Sequence, residues 1–372
     1  MRFFIFFSII ALANYFVVAG LFDFATAEAQ PVWKILLVAA PLFIIEMLDL
    51  RTTFFQTRPN IKLFISAITG AFLSLFFFVF IADIVLLICI NLFPDIVTQQ
   101  FYHSIFWVIM IVTSASVILG IIQAKLGPIV KQVTIAIKNL PHDFENYKIV
   151  QISDLHVGGT IRKNYVQNVV NLANAQNADL IALTGDFADG SVAELQHDSA
   201  LLKDLKSKDG LYFVTGNHEY YHDIQNWLPF YQSIGFNILS NRHETISRGD
   251  DKLVIAGVTD YSTRNWKSDE RSDISKAASG MPQDAVKILL MHQPTQYKQA
   301  ADAGFDLQLS GHTHGGQFFP WTLIIPLFHK FYKGLGRYND LHVYVNVGTG
   351  YWGPALRTFD RSEITVLTLR TA

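Results

Sequence analysis

The stretch SGHTHGG, Ser310–Gly316, follows an alternating apolar run, Phe305–Leu309, that reads as a β-strand. It raises a question of placement, because two histidines two residues apart make poor core filler. On a continued strand both rings would share one face. If the strand ends at Ser310, the flanking glycines let the backbone turn and aim both rings at one point. Paired imidazoles suit a metal ion, provided that further ligands arrive from elsewhere in the chain.

Four earlier strands end in groups of the same kind. YKIVQISDLH (Tyr147–His156) finishes on Asp154 and His156, and ADLIALTGD (Ala178–Asp186) on Asp186. GLYFVTGNHE (Gly210–Glu219) carries Asn217 and His218, and the run Val286–Met291 is followed by His292. Helical patterns at Arg162–Ala175, Leu195–Leu205 and Gln225–Ile234 alternate with these strands. Further strands are expected at Gln132–Leu140, Lys252–Val258, Leu341–Val347 and Glu363–Leu369. The repeated strand, loop and helix order predicts an α/β core with sheets covered by helices. In such folds ligands gather at the carboxyl ends of strands. Acids, an amide and imidazoles are all delivered there.

The ordered series Asp154-x-His156, Gly185-Asp186, Gly216-Asn217-His218-Glu219, His292 and Gly311-His312-Thr313-His314 resembles the calcineurin-like metallophosphoesterase superfamily. The resemblance covers roughly residues 130–369. GHTHGGQ and the ending VNVGTGYWGPALR…SEITVLTL look closest to its bacterial membrane-associated branch. The resemblance implies a four-layer sandwich of two mixed β-sheets flanked by helices. It also implies hydrolysis of phosphoester or pyrophosphate bonds by a hydroxide bridging two divalent metal ions. By that pattern Asp154, His156 and His314 complete one ion, Asn217, His292 and His312 the other, and Asp186 bridges them. His218 is then the catalytic residue, facing the substrate beside Asn217. Oxygen and nitrogen donors without thiolate suit manganese, iron or zinc, and one carboxylate can bridge cations about 3.5–4 Å apart. Asp189 and Glu219 are expected to orient these groups from behind.

Singly, each residue has a plainer reading. Asp154 and Asn217 could be caps, Asp186 a turn acid and His292 a core histidine. Together those readings leave acids and imidazoles converging without compensating charge, which a metal supplies. His103, His142, His197, His222, His243, His329 and His342 are assigned to surface or core, with His222 the nearest to the GNHE segment.

The first third of the chain differs. Of 372 residues 51% are hydrophobic and 30 are Phe, and the excess lies before about residue 125. Four apolar stretches, roughly 3–22, 32–48, 63–93 and 105–122, are near the length of a bilayer-spanning helix. Residues 1–126 are therefore read as an all-α transmembrane region and 127–372 as the metallophosphoesterase domain. Arg2, then Arg51, Arg58 and Lys62, then Lys125, Lys131 and Lys138 put the N-terminus, the middle loop and the C-terminal domain in the cytoplasm. The expected location is the inner cell membrane, multi-pass. ATAEA, Ala25–Ala29, also fits a signal-peptide cleavage site, which would leave three helices and the same topology. Asp83 inside the third stretch reads as interfacial or paired within the bundle. The single cysteine, Cys89, excludes an intrachain disulfide and a cysteine-based zinc site. A formal net charge of −2 with no basic block gives no nucleic-acid footprint.

After the glycine pair comes QFFPWTLIIPLFHKFYKGL, Gln317–Leu335, read as a loop beside the metals. Its aromatic, aliphatic and basic mixture suits a bilayer interface or an acyl chain, with Trp321 and Phe328 as substrate contacts. Trp227, Tyr231 and Trp352 are expected to extend that apolar approach. The partners that follow are the lipid bilayer and a phosphorylated or nucleotide-linked lipid. A scaffold without activity on the same fold would lack a ligand or His218, and neither is lost. A transporter or sensor would want paired intramembrane charges, for which Asp83 alone is thin support.

Overall fold

The structure, a computed structural model, describes residues 59–265 and 271–372. The expectations for stretches 3–22 and 32–48, for ATAEA and for the side chain of Asp83 lie outside the described residues. The chain enters through two long apolar helices, α1 (Pro59–Leu92) and α2 (Gln99–Leu126). Pro94 stands in the turn between them, and the Thr98 hydroxyl caps α2 by accepting from the Phe101 amide. Leu75, Val79 and Ala82 of α1 pack on Ile109 of α2. Both helices are long and apolar enough to cross a membrane.

Among the described residues twelve strands follow, in two sheets of six. The first sheet contains β1 (Ile129–Ile137), β2 (Lys148–Ile152), β3 (Leu180–Leu183), β4 (Leu211–Phe213), β5 (Asn237–Ile238) and β12 (Glu363–Thr371). Its order is β1-β12-β2-β3-β4-β5, parallel except where β12 meets β2. The second contains β6 (Arg242–Arg248), β7 (Asp251–Gly257), β8 (Val286–Leu290), β9 (Leu307–Ser310), β10 (Gly334–Tyr338) and β11 (Leu341–Val345). Its order is β10-β11-β9-β8-β7-β6, with antiparallel pairs only at the two edges.

The sheets face each other across Ile149, Leu180, Ala182, Ile255, Ile288, Leu290, Leu307 and Leu309. On the outer face of the first sheet lie α3 (Lys163–Asn174), α4 (Val192–Ser199) and α6 (Ile224–Ser233). Outside the second lie α7 (Ile274–Ala278) and α8 (Tyr297–Asp302). The result is the expected four-layer sandwich of two mixed sheets flanked by helices. Its central strands are short apolar runs because both of their faces are covered.

Departures from the sequence reading have local causes. The helix expected at Leu195–Leu205 starts at Val192, because the Glu194 carboxylate accepts from the amide and hydroxyl of Ser191. It tightens into a 3₁₀ turn over Ala200–Asp204. Strands β5, β6 and β10 were not foreseen, since a two-residue strand, a polar edge and a glycine-rich edge carry little periodicity. The segment read as a loop folds as a two-turn helix, α9 (Trp321–Phe328), followed by β10.

Away from the strand ends that carry the histidines, Asp179 ties the sheets together. Its oxygens accept from Lys208 Nζ (2.8 Å), the Lys148 amide (2.8 Å) and Arg248 Nη2 (3.1 Å), the last from β6. Burial works against its charge, but these donors outweigh it and hold Asp179 below its ordinary value. A depressed folded value means stability that is present above the unfolded pKa of about 3.9 and lost as pH falls through the folded one. Asp179→Asn should lower the thermal midpoint at pH 7 by about 2–6 °C, with the gap narrowing as pH falls below the unfolded value of about 3.9. Equal gaps at pH 7 and pH 2.5, followed by circular dichroism, would contradict the assignment.

Candidate metal centre

The polar groups gather where β2, β3, β4, β8 and β9 end. Asp154, His156, Asp186, His312 and His314 all adopt left-handed backbone, with φ of 51°, 52°, 58°, 72° and 50°. Such strain at non-glycine residues persists where the surroundings over-determine it. Two glycines let the loops close. A Cβ on Gly216 would fall 2.1 Å from Asp186 Oδ1, and one on Gly311 would fall 2.1 Å from Asp154 Oδ2.

Three groups of potential ligands result: Asp154, His156 and His314; Asp186, His292 and His312; and His156, Asp189 and His218, the last joined by hydrogen bonds to Asp189. In the first, His314 Nε2 lies 3.1 Å from His156 Nε2 and 3.3 Å from Asp154 Oδ1. In the second, His292 Nε2 lies 3.1 Å from Asp186 Oδ2 and 3.2 Å from His312 Nδ1. Asp186 Oδ2 is also 3.9 Å from His156 Nε2, so this carboxylate touches both the first group and the second. Asn217, which follows Gly216 at the close approach to Asp186, has its side-chain Oδ1 buried without a hydrogen-bond partner. Among the described residues, the seven expected ligands thus stand together or immediately beside one another.

The donor set fits cations. His292 Nδ1 faces the Thr184 carbonyl at 2.8 Å, and a carbonyl can only accept, so Nδ1 carries a proton. Burial disfavours charge on this ring, yet the facing Asp186 carboxylate, with Asp154 and Asp260, holds His292 well above its ordinary value, so its Nε2 side is where a cation would stand in place of that proton. The orphaned Asn217 oxygen is a further buried acceptor without a protein partner. Burial and neighbouring His292 push His312 down to about 3, and burial, His156 and Arg357 hold His314 well below the usual histidine range. Both rings are therefore neutral, the form that binds metal. Burial raises Asp154, whereas Asp186, despite burial, is held well below its ordinary value by the imidazoles of His292 and His218.

Behind the ligands stand two acids. Asp189 Oδ1 accepts from His156 Nδ1 (2.8 Å) and from His218 Nδ1 (2.7 Å). Glu219, on the short helix α5 (Asn217–His222), accepts from the amides of Asp186 (3.0 Å), Phe187 (2.7 Å) and Gly216 (2.7 Å), which locks two strand ends together. Burial and the nearby Asp186 push Glu219 up to about 7. Burial disfavours charge on His218, yet the carboxylates of Asp186 and Asp189 outweigh it and push the ring up to about 9.

Other assignments divide. Trp352 lies edge-on to His218 at 5.9 Å between ring centroids. Trp227 and Tyr231 instead stack on each other, fully buried on the inner face of α6, and Trp227 Nε1 donates to Gly190 O; they are core residues, not an approach to the site. His222 contacts the His218 ring at 6.0 Å. His329, read as surface or core, comes within 6.2 Å of the His312 ring. Trp321 and Phe328 stay outside the ligand cluster, at opposite ends of α9, and are 37% and 75% exposed. The Thr184 carbonyl that fixes His292 could not be foreseen, because backbone acceptors leave no mark in a sequence.

The model of the calcineurin-like phosphoesterase family matches residues 147–316. The chain is 35% identical over 271 residues to the "transmembrane protein with metallophosphoesterase domain" of Danio rerio, covering 71% of this chain and 62% of that protein. It is 34% identical over 269 residues to a metallophosphoesterase of Campylobacter jejuni, covering 72% and 70%. It is 31% identical over 247 residues to one of Aquifex aeolicus, covering 65% and 91%. Against several of these relatives the match spans only 54% to 66% of their length. The chain belongs to the calcineurin-like metallophosphoesterase family, and its apolar helices give it a membrane-associated character.

A carboxylate shared between two groups should be the most costly to neutralise. Protein purified with Mn²⁺ should carry two ions per chain by elemental analysis, and Asp186→Asn at most one. Retention of both by Asp186→Asn would show that Asp186 does not bridge.

Proposed function

We propose that the protein hydrolyses phosphoester or pyrophosphate bonds of a lipid-linked or nucleotide-lipid substrate at the cytoplasmic face of a membrane. The observation that carries the hydrolytic part is the meeting of two ligand groups at Asp186, with His218 beside them. Two bound divalent cations would withdraw charge from the phosphoryl oxygens and acidify a water molecule. His218 Nε2 stands 3.9 Å from Asp186 Oδ2 while its Nδ1 is held by Asp189. With its pKa at about 9 the ring stays protonated at neutral pH, which suits donation of a proton to the leaving oxygen. Asp189 fixes the direction of that donation, and the Trp352 ring narrows the space above it.

The lipid part rests on α9. Before it, Phe319 packs against Phe77 and Phe78 of α1, each at 4.6 Å between centroids. After it, His329 reaches the His312 ring. Between these points Leu323, Leu327 and Phe328 are exposed. An apolar track from membrane helix to metal ligand suits a substrate whose acyl chains remain in the bilayer. The basic residues Arg51, Arg58, Lys62 and Lys125 support the cytoplasmic orientation and a multi-pass topology.

Full-length protein in detergent with Mn²⁺ should hydrolyse bis-p-nitrophenyl phosphate, and His218→Ala should lower kcat by about 10²–10⁴-fold. Absence of turnover with Mn²⁺, Fe²⁺ and Zn²⁺ alike would favour the scaffold reading instead. In a second measurement, the ratio of kcat/KM for phosphorylated lipid in mixed micelles to that for the soluble diester should fall at least tenfold in Trp321→Ser/Phe328→Ser. An unchanged ratio would remove the lipid assignment and leave the hydrolytic one standing.

A further inference from the structure

We infer that Leu356 and Arg357 are positioning residues through which the apolar helix pair holds one half of the metal centre, the half made by Asp154 and His314. This rests on the metal reading above and extends it to residues that neither the motif series nor the ligand geometry includes.

The argument starts at two glycines. Leu356 is 2% exposed, and its methyls fit under one glycine of each apolar helix. A Cβ on Gly70 of α1 would fall 1.7 Å from Leu356 Cδ1, and one on Gly120 of α2 would fall 3.2 Å from Cδ2. The next amide, that of Arg357, donates to the Gly120 carbonyl at 2.9 Å. The helix pair therefore grips the segment between β11 and β12 by side chain and by backbone.

From that grip a short path leads to the ligands. The Arg357 guanidinium is fully buried. Its Nη2 donates to the carbonyls of Val347 (2.5 Å) and Gly350 (2.9 Å), and its Nε to Gly350 (3.1 Å). The amides of Thr349 and Gly350 in turn donate to the carbonyls of Ser153 (2.7 Å) and Asp154 (2.9 Å). On its other side Arg357 Nη2 lies 3.4 Å from His314 Nδ1. The fit leaves no slack, since a Cβ on Gly348 would come within 2.8 Å of both Arg357 Nη2 and His314 Nδ1. Burying a guanidinium is costly, and its Nε and Nη2 donors are spent on one turn that carries the backbone of a ligand, while Nη1 is buried without a hydrogen-bond partner. The other half of the centre is held differently, by the Thr184 carbonyl on His292 and by Glu219 on the Asp186 amide. Loosening the grip should therefore weaken one metal site and spare the other.

The test uses the full-length chain in detergent, with Leu356→Ala, Gly70→Leu and Arg357→Lys compared with wild type and with Leu356→Met as the conservative control. Mn²⁺ binding is followed by titration calorimetry, and hydrogen exchange at the Thr349 and Gly350 amides is measured on metal-free protein. The expected result is at least a tenfold rise in one of two Kd values, less than twofold in the other, and at least tenfold faster exchange at those amides. Leu356→Met should stay near wild type in all three. Equal weakening of both sites, or no change in either, overturns the positioning role. If wild type binds fewer than two ions the metal reading fails, and exchange in the metal-free variants still decides whether the helix pair holds this turn. Should Gly70→Leu fail to fold, Leu356→Ala removes the same contact without adding bulk.

Discussion

The structure depends on a single electrostatic constraint: carboxylates and imidazoles from five strand ends share one small, buried volume. Such groups repel one another or shed protons unless something of opposite charge intervenes. The fold spends much of its local order on holding them there. Left-handed backbone at five ligand residues, side-chain-free glycines at the closest approaches and the buried Glu219 bridging three amides all oppose the tendency to spread. The two sheets serve this end as well, because packing face to face brings the ends of β2 and β3 against those of β8 and β9.

Much of this was legible in the sequence, and for a physical reason. A ligand at a strand end must be polar where the preceding residues are apolar, so Asp154, Asp186, Asn217, His292 and His312 each interrupt a hydrophobic run. That contrast locates both the strands and the site. Asp189 and Glu219 could be expected because they sit within three residues of a ligand. What could not be read was anything that depends on separation in sequence. His329 arrives beside His312 only because α9 folds as a helix, and Thr184 acts through a carbonyl that every residue possesses. Trp227 and Tyr231, aromatic and close in sequence to the GNHE segment, turned inward because α6 needed an apolar face to bury. Residue type alone did not distinguish a core aromatic from one lining a site.

The boundary between the apolar helices and the domain is equally instructive. By composition the change at residues 126–129 is abrupt, and a linker between independent units would be a natural reading. The contacts give a different picture. Ala124 joins the core of the first sheet, Lys62 lies where a side chain on Gly159 would stand, and Phe319 stacks on α1. The helices act as a further wall of the domain.

A single oxygen, Oδ1 of Asp189, accepts hydrogen bonds from the ring of His156, the proposed ligand, and from the ring of His218, the proposed acid. Nature cannot then adjust the two independently. A substitution that made the acid a better donor would also turn the ligand, and one that relaxed the ligand would misdirect the acid. Changes in α9 and the aromatic rim, by contrast, leave that shared oxygen and both rings where they are.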